Sequence, residues 1–268
     1  MVGHKNYKIT KFLGIGAMLL FFYLPILIMV IFSFNATKSL TSFDSFSLRW
    51  YQDLFSNSEM MSAVYVSVLV ALISTFVSTV VGTLTSIGLI NSNKLVKNVV
   101  LQVNNLPIMN PEIVTAISLM LLFIAFKVPK GFITMLLAHI AFSIPYVMLT
   151  ILPKLRKLDP NLADAAMDLG ATPLQTLTKV ILPQITPSII SAALLAFTMS
   201  FDDFVISYFV TGNGVKNISI LVYTMSKRIN PSVNALSTIM VGVVSLFLII
   251  INVIPMLRKN TSKKALSA

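Results

Sequence analysis

Long stretches without a single charged residue constrain this chain more than any other feature. Uncharged, largely apolar runs occupy residues 12–37, 60–93, 131–153, 180–201 and 229–257. A helix needs about 20 apolar residues to cross the hydrocarbon of a bilayer, and each run is long enough. One more stretch, 98–126, is interrupted only by Glu112. We therefore predict an all-α membrane protein, a single transmembrane domain over residues 1–268, with six spanning helices near 12–34, 62–90, 99–126, 132–152, 185–209 and 237–257.

The composition excludes several other classes of protein. Charged residues make up only 11% of the chain, whereas a soluble domain carries about a quarter. The net charge of +11 would suggest nucleic-acid binding in a soluble protein, but here the basic residues lie between the apolar runs. We therefore expect membrane lipid, and no nucleic acid, as a partner. The absence of cysteine excludes disulfides and thiol chemistry.

The distribution of lysine and arginine predicts the orientation in the membrane. One set of loops, which includes both chain ends, holds 13 of the 20 basic residues, and the opposite loops hold 7. The positive-inside rule then places both termini in the cytoplasm. The first apolar run is longer than the roughly 7–15 residues of a signal-peptide core, so we predict an uncleaved span.

Small residues recur every four positions in the second predicted span, at Ser74, Ser78, Gly82 and Ser86. On a helix they form one narrow stripe, which lets another helix approach closely. The alternative is that the stripe reflects only the general abundance of small residues in such spans.

The loop 153–184 contains two consecutive helix-start signals. Asp159 and Thr172 can each cap a helix whose first residue is a proline. Gly170 fits the left-handed position that ends the first helix, and Pro183 is predicted to close the second. Because both helices are too short to be stable alone, they must pack either on the lipid surface or on a cytoplasmic partner.

Part of this loop resembles the EAA loop of ABC importer permeases. Asp164-Ala165-Ala166 is followed after three residues by Gly170, and after nine more by Val180-Ile181-Leu182-Pro183. Only two positions depart from the family pattern, with Asp164 in place of glutamate and Val180 in place of isoleucine. The resemblance implies contact with an ATPase subunit through Asp164, Ala165, Ala166, Asp168, Gly170 and Ala171.

Other segments resemble the PotC-like spermidine/putrescine permeases, namely residues 46–51, 111–118 and 200–207. The likeness covers most of residues 12–257 and implies the type I ABC importer permease fold in a bacterial cytoplasmic (inner) membrane. It also implies three partners: a second related permease, two copies of an ATPase subunit and an extracytoplasmic polyamine-binding protein. This chain has no phosphate-binding loop motif, so ATP and Mg²⁺ are expected on the ATPase. We expect no cofactor and no enzymatic activity in the chain itself.

Three acidic residues lie inside predicted spans: Glu112, Asp202 and Asp203. An ionised side chain at mid-bilayer costs about 3 kcal/mol, so each should face a cavity or a partner. The nearby rings of Phe204 and Tyr208 could add cation–π contacts. These five residues predict a pathway for a polyamine, with one of the two adjacent aspartates facing it because neighbours on a helix point about 100° apart.

Three alternatives stay open at the level of sequence. The acids could be structural, pairing with basic residues of the partner permease or capping broken helices. The cargo could be another cation or small solute. The chain could also be a transporter that is driven by an ion gradient, since proton coupling would use such acids.

Overall fold

The computed structural model describes residues 3–39, 41–212, 214–226 and 231–243, together with positions 245, 246 and 249. Within these ranges the regular structure is helical, and the one extended pairing is an isolated bridge between Asn35 and Phe46. The all-α prediction is therefore confirmed.

The internal contacts divide the chain into two units, residues 1–61 with 222–268 and residues 62–221. The helices of the first unit are α1 (Gly3–Phe32), α2 (Arg49–Ser56) and α12 (Ser232–Val243). Two helices cross the boundary between the units: α3 (Ser58–Ile90) and α11 (Ile218–Ser226). The second unit contains α4 (Lys94–Met109), α5 (Glu112–Ala125), α6 (Phe132–Leu155), α7 (Leu162–Asp168), α8 (Pro173–Thr176), α9 (Leu182–Phe201) and α10 (Val205–Val210).

In the first unit, a compact loop joins α1 to α2. The indole N–H of Trp50 donates to the backbone oxygen of Asn35 at 2.6 Å. The Asn35 amide in turn donates to the backbone oxygens of Ser39 and Ser42, and its oxygen accepts from the backbone N–H of Asp44. The Asn35 side chain thus provides hydrogen-bond partners for backbone groups of a loop that forms no regular secondary structure.

In the second unit, α6 packs along α9, and α3 closely approaches both helices. A Cβ atom on Gly82 would lie 2.6 Å from Cγ1 of Val147 on α6. Ser74, Ser78 and Ser86 are fully buried beside it. The prediction that this stripe admits a neighbouring helix is confirmed.

The predicted span over 99–126 is not one continuous helix. It forms two helices, α4 and α5, which meet at a bend of 112°. Asn110 adopts an extended conformation, as residues before proline do, and Pro111 has no N–H with which to continue the ladder. The break leaves Glu112 as the first residue of α5.

The predicted span 185–209 is also interrupted. Helix α9 ends at Phe201 and α10 starts at Val205. The Asp203 carboxylate accepts hydrogen bonds from the backbone N–H groups of Ile206 and Ser207, so it caps a new helix.

The loop after α6 forms a helical hairpin, as predicted, with two corrections. Gly170 has a φ of +88°, and Thr172 forms a reciprocal capping box with Gln175. Asp159 accepts from the N–H of Asn161, but the first helix starts only at Leu162. Pro183 does not end the second helix: α8 continues into α9 through a π-helical turn at residues 177–181, and Pro183 lies directly after this turn, at the start of α9.

Four described helices are long and apolar enough to cross a membrane, or five if the bent pair is counted as one span. They are Lys11–Phe32, Ser58–Ile90, Phe132–Leu155 and Pro173–Phe201. The predicted span 237–257 lies largely outside the described residues. The count of six spans, the cytoplasmic termini and the single domain over residues 1–268 therefore stay predictions.

Candidate functional site

The two helix breaks of the second unit come together. Helix α10 packs against α5 and α6, and this contact brings the carboxyl groups of Glu112 and Asp203 beside each other. The side chains of Asp202 and Tyr146 are also close enough to interact electrostatically with Glu112. Residues that are far apart in sequence thus form one acidic site at the junction of three helices.

Asp203 is buried and fully engaged in hydrogen bonds. Its exposed fraction is 5%. One carboxylate oxygen accepts from the N–H of Ile206 at 3.2 Å, and the other accepts from the N–H and hydroxyl of Ser207 at 2.8 and 2.7 Å. The same second oxygen lies 3.2 Å from Nε2 of His139. These contacts account for the buried charge without any ligand.

Asp202, by contrast, has an exposed side chain, and so does Glu112. Neither forms a salt bridge within the described residues, where Asp53 pairs with Arg49 and Asp203 lies beside His139. The adjacent aspartates therefore differ in environment, although both lie in the break between α9 and α10 and not in a helix. The exposed Asp202 carboxylate has no basic partner in the described part of the chain, so it creates a negative potential that attracts a cation, whereas the Glu112 carboxyl also interacts with the buried Asp203 carboxyl.

Aromatic rings lie along α10 next to the acids. Phe204 and Tyr208 form a tilted pair with ring centroids 5.4 Å apart, and Tyr208 meets Phe209 edge-on at 5.7 Å. Nearly half of the Tyr208 side chain is exposed. A ring face of this kind can contact an ammonium group or the methylene chain between two such groups.

A buried polar network behind Asp203 was not predicted as part of the site. Nδ1 of His139 lies 2.6 Å from Oγ of Ser200, and Nε2 lies 2.9 Å from Oγ of Ser207. The Asn217 amide donates to the backbone oxygen of Asp203 at 2.7 Å and to Oγ of Ser207 at 2.9 Å. The sequence offered one signal, a histidine inside an apolar run, but its partners come from three distant segments.

The network defines which nitrogen of His139 carries the proton. The Ser207 hydroxyl donates to Asp203, so its oxygen is left to accept from Nε2–H. Ser200 accepts from Ser74, which frees its own proton for Nδ1. Nε2 therefore carries a proton, because the Asp203 carboxylate and the committed Ser207 oxygen can only accept from it.

The residues predicted for ATPase contact all lie on the hairpin. Asp164, Ala165, Ala166 and Asp168 belong to α7, while Gly170 and Ala171 follow it in the turn. Around them, Leu169 is 90% exposed and Leu174 is 69% exposed. The hairpin thus carries an apolar surface that neither α7 nor α8 covers.

A helical membrane protein with carboxylates and aromatic rings at the junction of two broken helices has the architecture of a transport permease. Residues 78–258 match the family described as the binding-protein-dependent transport system inner membrane component. The chain belongs to this family. Its predicted multi-pass, inner-membrane location is thereby confirmed.

Individual relatives agree with the family. The chain is 38% identical over 234 residues to the putrescine transport system permease protein PotI of Escherichia coli (strain K12), covering 84% of this chain and 83% of that protein. It is 39% identical over 241 residues to the spermidine/putrescine transport system permease protein PotC of Haemophilus influenzae, covering 90% and 93%. The resemblance seen in the sequence is confirmed.

The fold is similar to that of a solved transporter. A bacterial ABC transporter involved in the import of the acidic polysaccharide alginate has a chain that matches with a TM-score of 0.68 at 14% identity. The match covers 92% of this chain and 94% of the other. The predicted ABC permease fold is confirmed.

Proposed function

We propose that this chain is a permease subunit of an ATP-driven polyamine importer and forms half of the translocation pathway by alternating access. The observation that carries the proposal is the pair of exposed carboxylates, Glu112 and Asp202, beside an aromatic face at the junction of two broken helices. The relatives PotI and PotC are named as permeases for putrescine and for spermidine/putrescine, which supports a polyamine as the cargo.

The chemistry of the site suits a polyamine. Such a molecule carries ammonium groups separated by methylene chains, so it needs spaced anionic groups and apolar surface between them. Asp202 and Glu112 supply the carboxyl groups, of which Glu112 also hydrogen-bonds Asp203, and Phe204 and Tyr208 supply the surface. Asp203, which the sequence grouped with them, instead supports the site by capping α10.

The energy for transport would come from a partner. In the proposed assembly, a second related permease completes the pathway, two copies of an ATPase subunit hold ATP and Mg²⁺, and an extracytoplasmic binding protein delivers the polyamine. The exposed apolar residues of the hairpin, Leu169 and Leu174, support docking of the ATPase there. Movement of this hairpin on ATP binding would tilt α9, which continues from it without interruption.

Uptake by the complete transporter in proteoliposomes tests the pathway. Wild type should take up labelled putrescine or spermidine, each competing with the other. Asp202→Asn and Glu112→Gln should each raise the KM about tenfold, since each removes a charge contact worth about 1.4 kcal/mol. Asp44→Asn, which removes an exposed carboxylate of the first unit, is the control and should change nothing. Equal KM values in all four proteins would show that Glu112 and Asp202 have a structural role and do not bind the cargo. Transport of a different solute, with no uptake of either polyamine, would refute the proposed cargo.

Two substitutions at one position test the docking role. Gly170→Arg should leave the permease in the membrane but abolish ATP-coupled uptake and co-purification of the ATPase. Gly170→Asn is the control, because asparagine tolerates the left-handed conformation and adds no charge. Normal uptake by the arginine variant would refute docking at this turn.

A further inference from the structure

His139 has a place in the second unit that the proposed function does not use. Its side chain is 2% exposed and lies on α6, where it contacts the end of α9 and the start of α10. It touches no part of the surface where a cargo could bind. Its hydrogen bonds nevertheless reach the residues that flank the exposed carboxylate of Asp202.

The two nitrogens of His139 hold opposite sides of the break between α9 and α10. Nδ1 contacts Ser200 at 2.6 Å, two residues before Asp202. Nε2 contacts Ser207 at 2.9 Å and lies 3.2 Å from Asp203, the residue after Asp202. One rigid ring therefore spans the segment in which the helical ladder is interrupted.

The backbone of Asp202 itself makes two further hydrogen bonds. Its N–H makes a long bond of 3.3 Å to Thr198, and its carbonyl accepts from the hydroxyl of Ser219 at 3.1 Å. Because the side chain itself is exposed, its direction depends on the backbone on either side. A group that holds the backbone on both sides of Asp202 therefore restricts where this carboxylate points.

We propose that His139 is a positioning residue for cation transport, clamping the α9–α10 break so that the Asp202 carboxylate faces the pathway. This inference rests on the proposed function, in which Asp202 lines the pathway. The imidazole acts through Asp202, and it does not contact the cargo.

Kinetics of the complete transporter test the clamp. His139→Leu removes both contacts, and His139→Gln keeps an amide near the position of Nε2. We expect the leucine variant to raise the KM for spermidine about tenfold, as Asp202→Asn does, with kcat changed less than about twofold. The glutamine variant should restore much of the affinity. Ser191→Ala, which removes a hydroxyl hydrogen bond to the backbone of Pro187 on α9 and has no part in the clamp, is the matched control and should keep the wild-type KM.

A double variant separates positioning from general stabilisation. If His139 acts through Asp202, adding His139→Leu to Asp202→Asn should not raise the KM further. If the KM of the double variant rises by the product of the two single increases, action through Asp202 is refuted. A lower yield of leucine and glutamine variants with unchanged KM would reduce His139 to a packing role.

A labelling experiment tests the clamp without measuring transport of the cargo. The chain contains no cysteine, so Asp202→Cys introduces a single thiol into it. Maleimide should label this thiol in the assembled transporter at a rate that His139→Leu changes at least about threefold and His139→Gln changes less. Equal rates in all three backgrounds would overturn the clamp. If Asp202→Asn leaves polyamine uptake intact while labelling responds to His139, the pathway role fails and the clamp stands.

Discussion

The close approach of α3 and α6 at Gly82 makes a sharp prediction about one methyl group. Gly82→Ala places a Cβ atom 2.6 Å from Cγ1 and 2.9 Å from Cβ of Val147. Ordinary contact begins at 3.4 Å, so the gap to Cγ1 must widen by about 0.8 Å. Valine is β-branched and has one strongly preferred rotamer in a helix, so it cannot simply turn away. The helices must separate.

The expected cost follows from overpacking. An added methylene in a well-packed core costs about 1–3 kcal/mol. Alanine has a better helix propensity than glycine, which offsets up to about 1 kcal/mol. With this offset the net loss is about 0–2 kcal/mol, and the 2.6 Å contact places Gly82→Ala towards the upper end of that range. Gly88→Ala, on the same helix with nothing within 4 Å of the new Cβ, gains the propensity without the clash.

Thermal unfolding of the purified transporter in detergent measures the difference. Gly82→Ala should have a lower Tm than wild type, and Gly88→Ala should match or exceed wild type. Val147→Ala removes the clashing Cγ1, so the double variant Gly82→Ala with Val147→Ala should be more stable than the sum of the single changes predicts. Equal Tm values for the two glycine variants, or strict additivity in the double variant, would refute the reasoning.

Three further predictions concern hydrogen bonds. Asp203→Asn should lower the Tm far more than Asp202→Asn, since only Asp203 is a buried cap and a buried partner of a histidine; the reverse order in a thermal scan would contradict this assignment. Asn35→Asp removes the amide donors to two loop carbonyls and should cost about 1–3 kcal/mol locally, seen as faster proteolysis of residues 35–44. Thr172→Ala should lose about 1 kcal/mol of capping and weaken co-purification of the ATPase, whereas Thr172→Ser should not.

Hydropathy was sufficient to locate the described long helices but not their breaks. In the predicted span 185–209 only Asp202 and Asp203 mark the place of the interruption, and a hydropathy window does not show that one of these carboxylates bonds to the N–H groups ahead of it. At 110–111 the local signal was present, since proline restricts the residue before it. The bend of 112° itself depends on packing and is not encoded in a hydropathy window. At Pro183 the prediction that proline ends the helix failed, since the helix continues past it directly after a π-helical turn.

The sequence predicted which acidic residues form the site, but not which of them is exposed and which is buried. The cost of charge in a membrane identified Glu112, Asp202 and Asp203. Which aspartate is exposed depends on a histidine 63 residues upstream of Asp202, on α6, and on Asn217 beyond α10. Such partners come from tertiary structure, and a single sequence carries no information about which segments meet.

The buried and exposed acids make physical sense as one device. An exposed carboxylate that binds a cation must release it, so its hold must be moderate and its position reproducible. Asp202 can meet the first requirement because no salt bridge in the described chain competes for it. Asp203 meets the second, since its three protein hydrogen-bond donors and His139 keep the neighbouring backbone in place. A single acid could not do both, because the hydrogen bonds that immobilise a carboxylate also remove its capacity to bind a cargo.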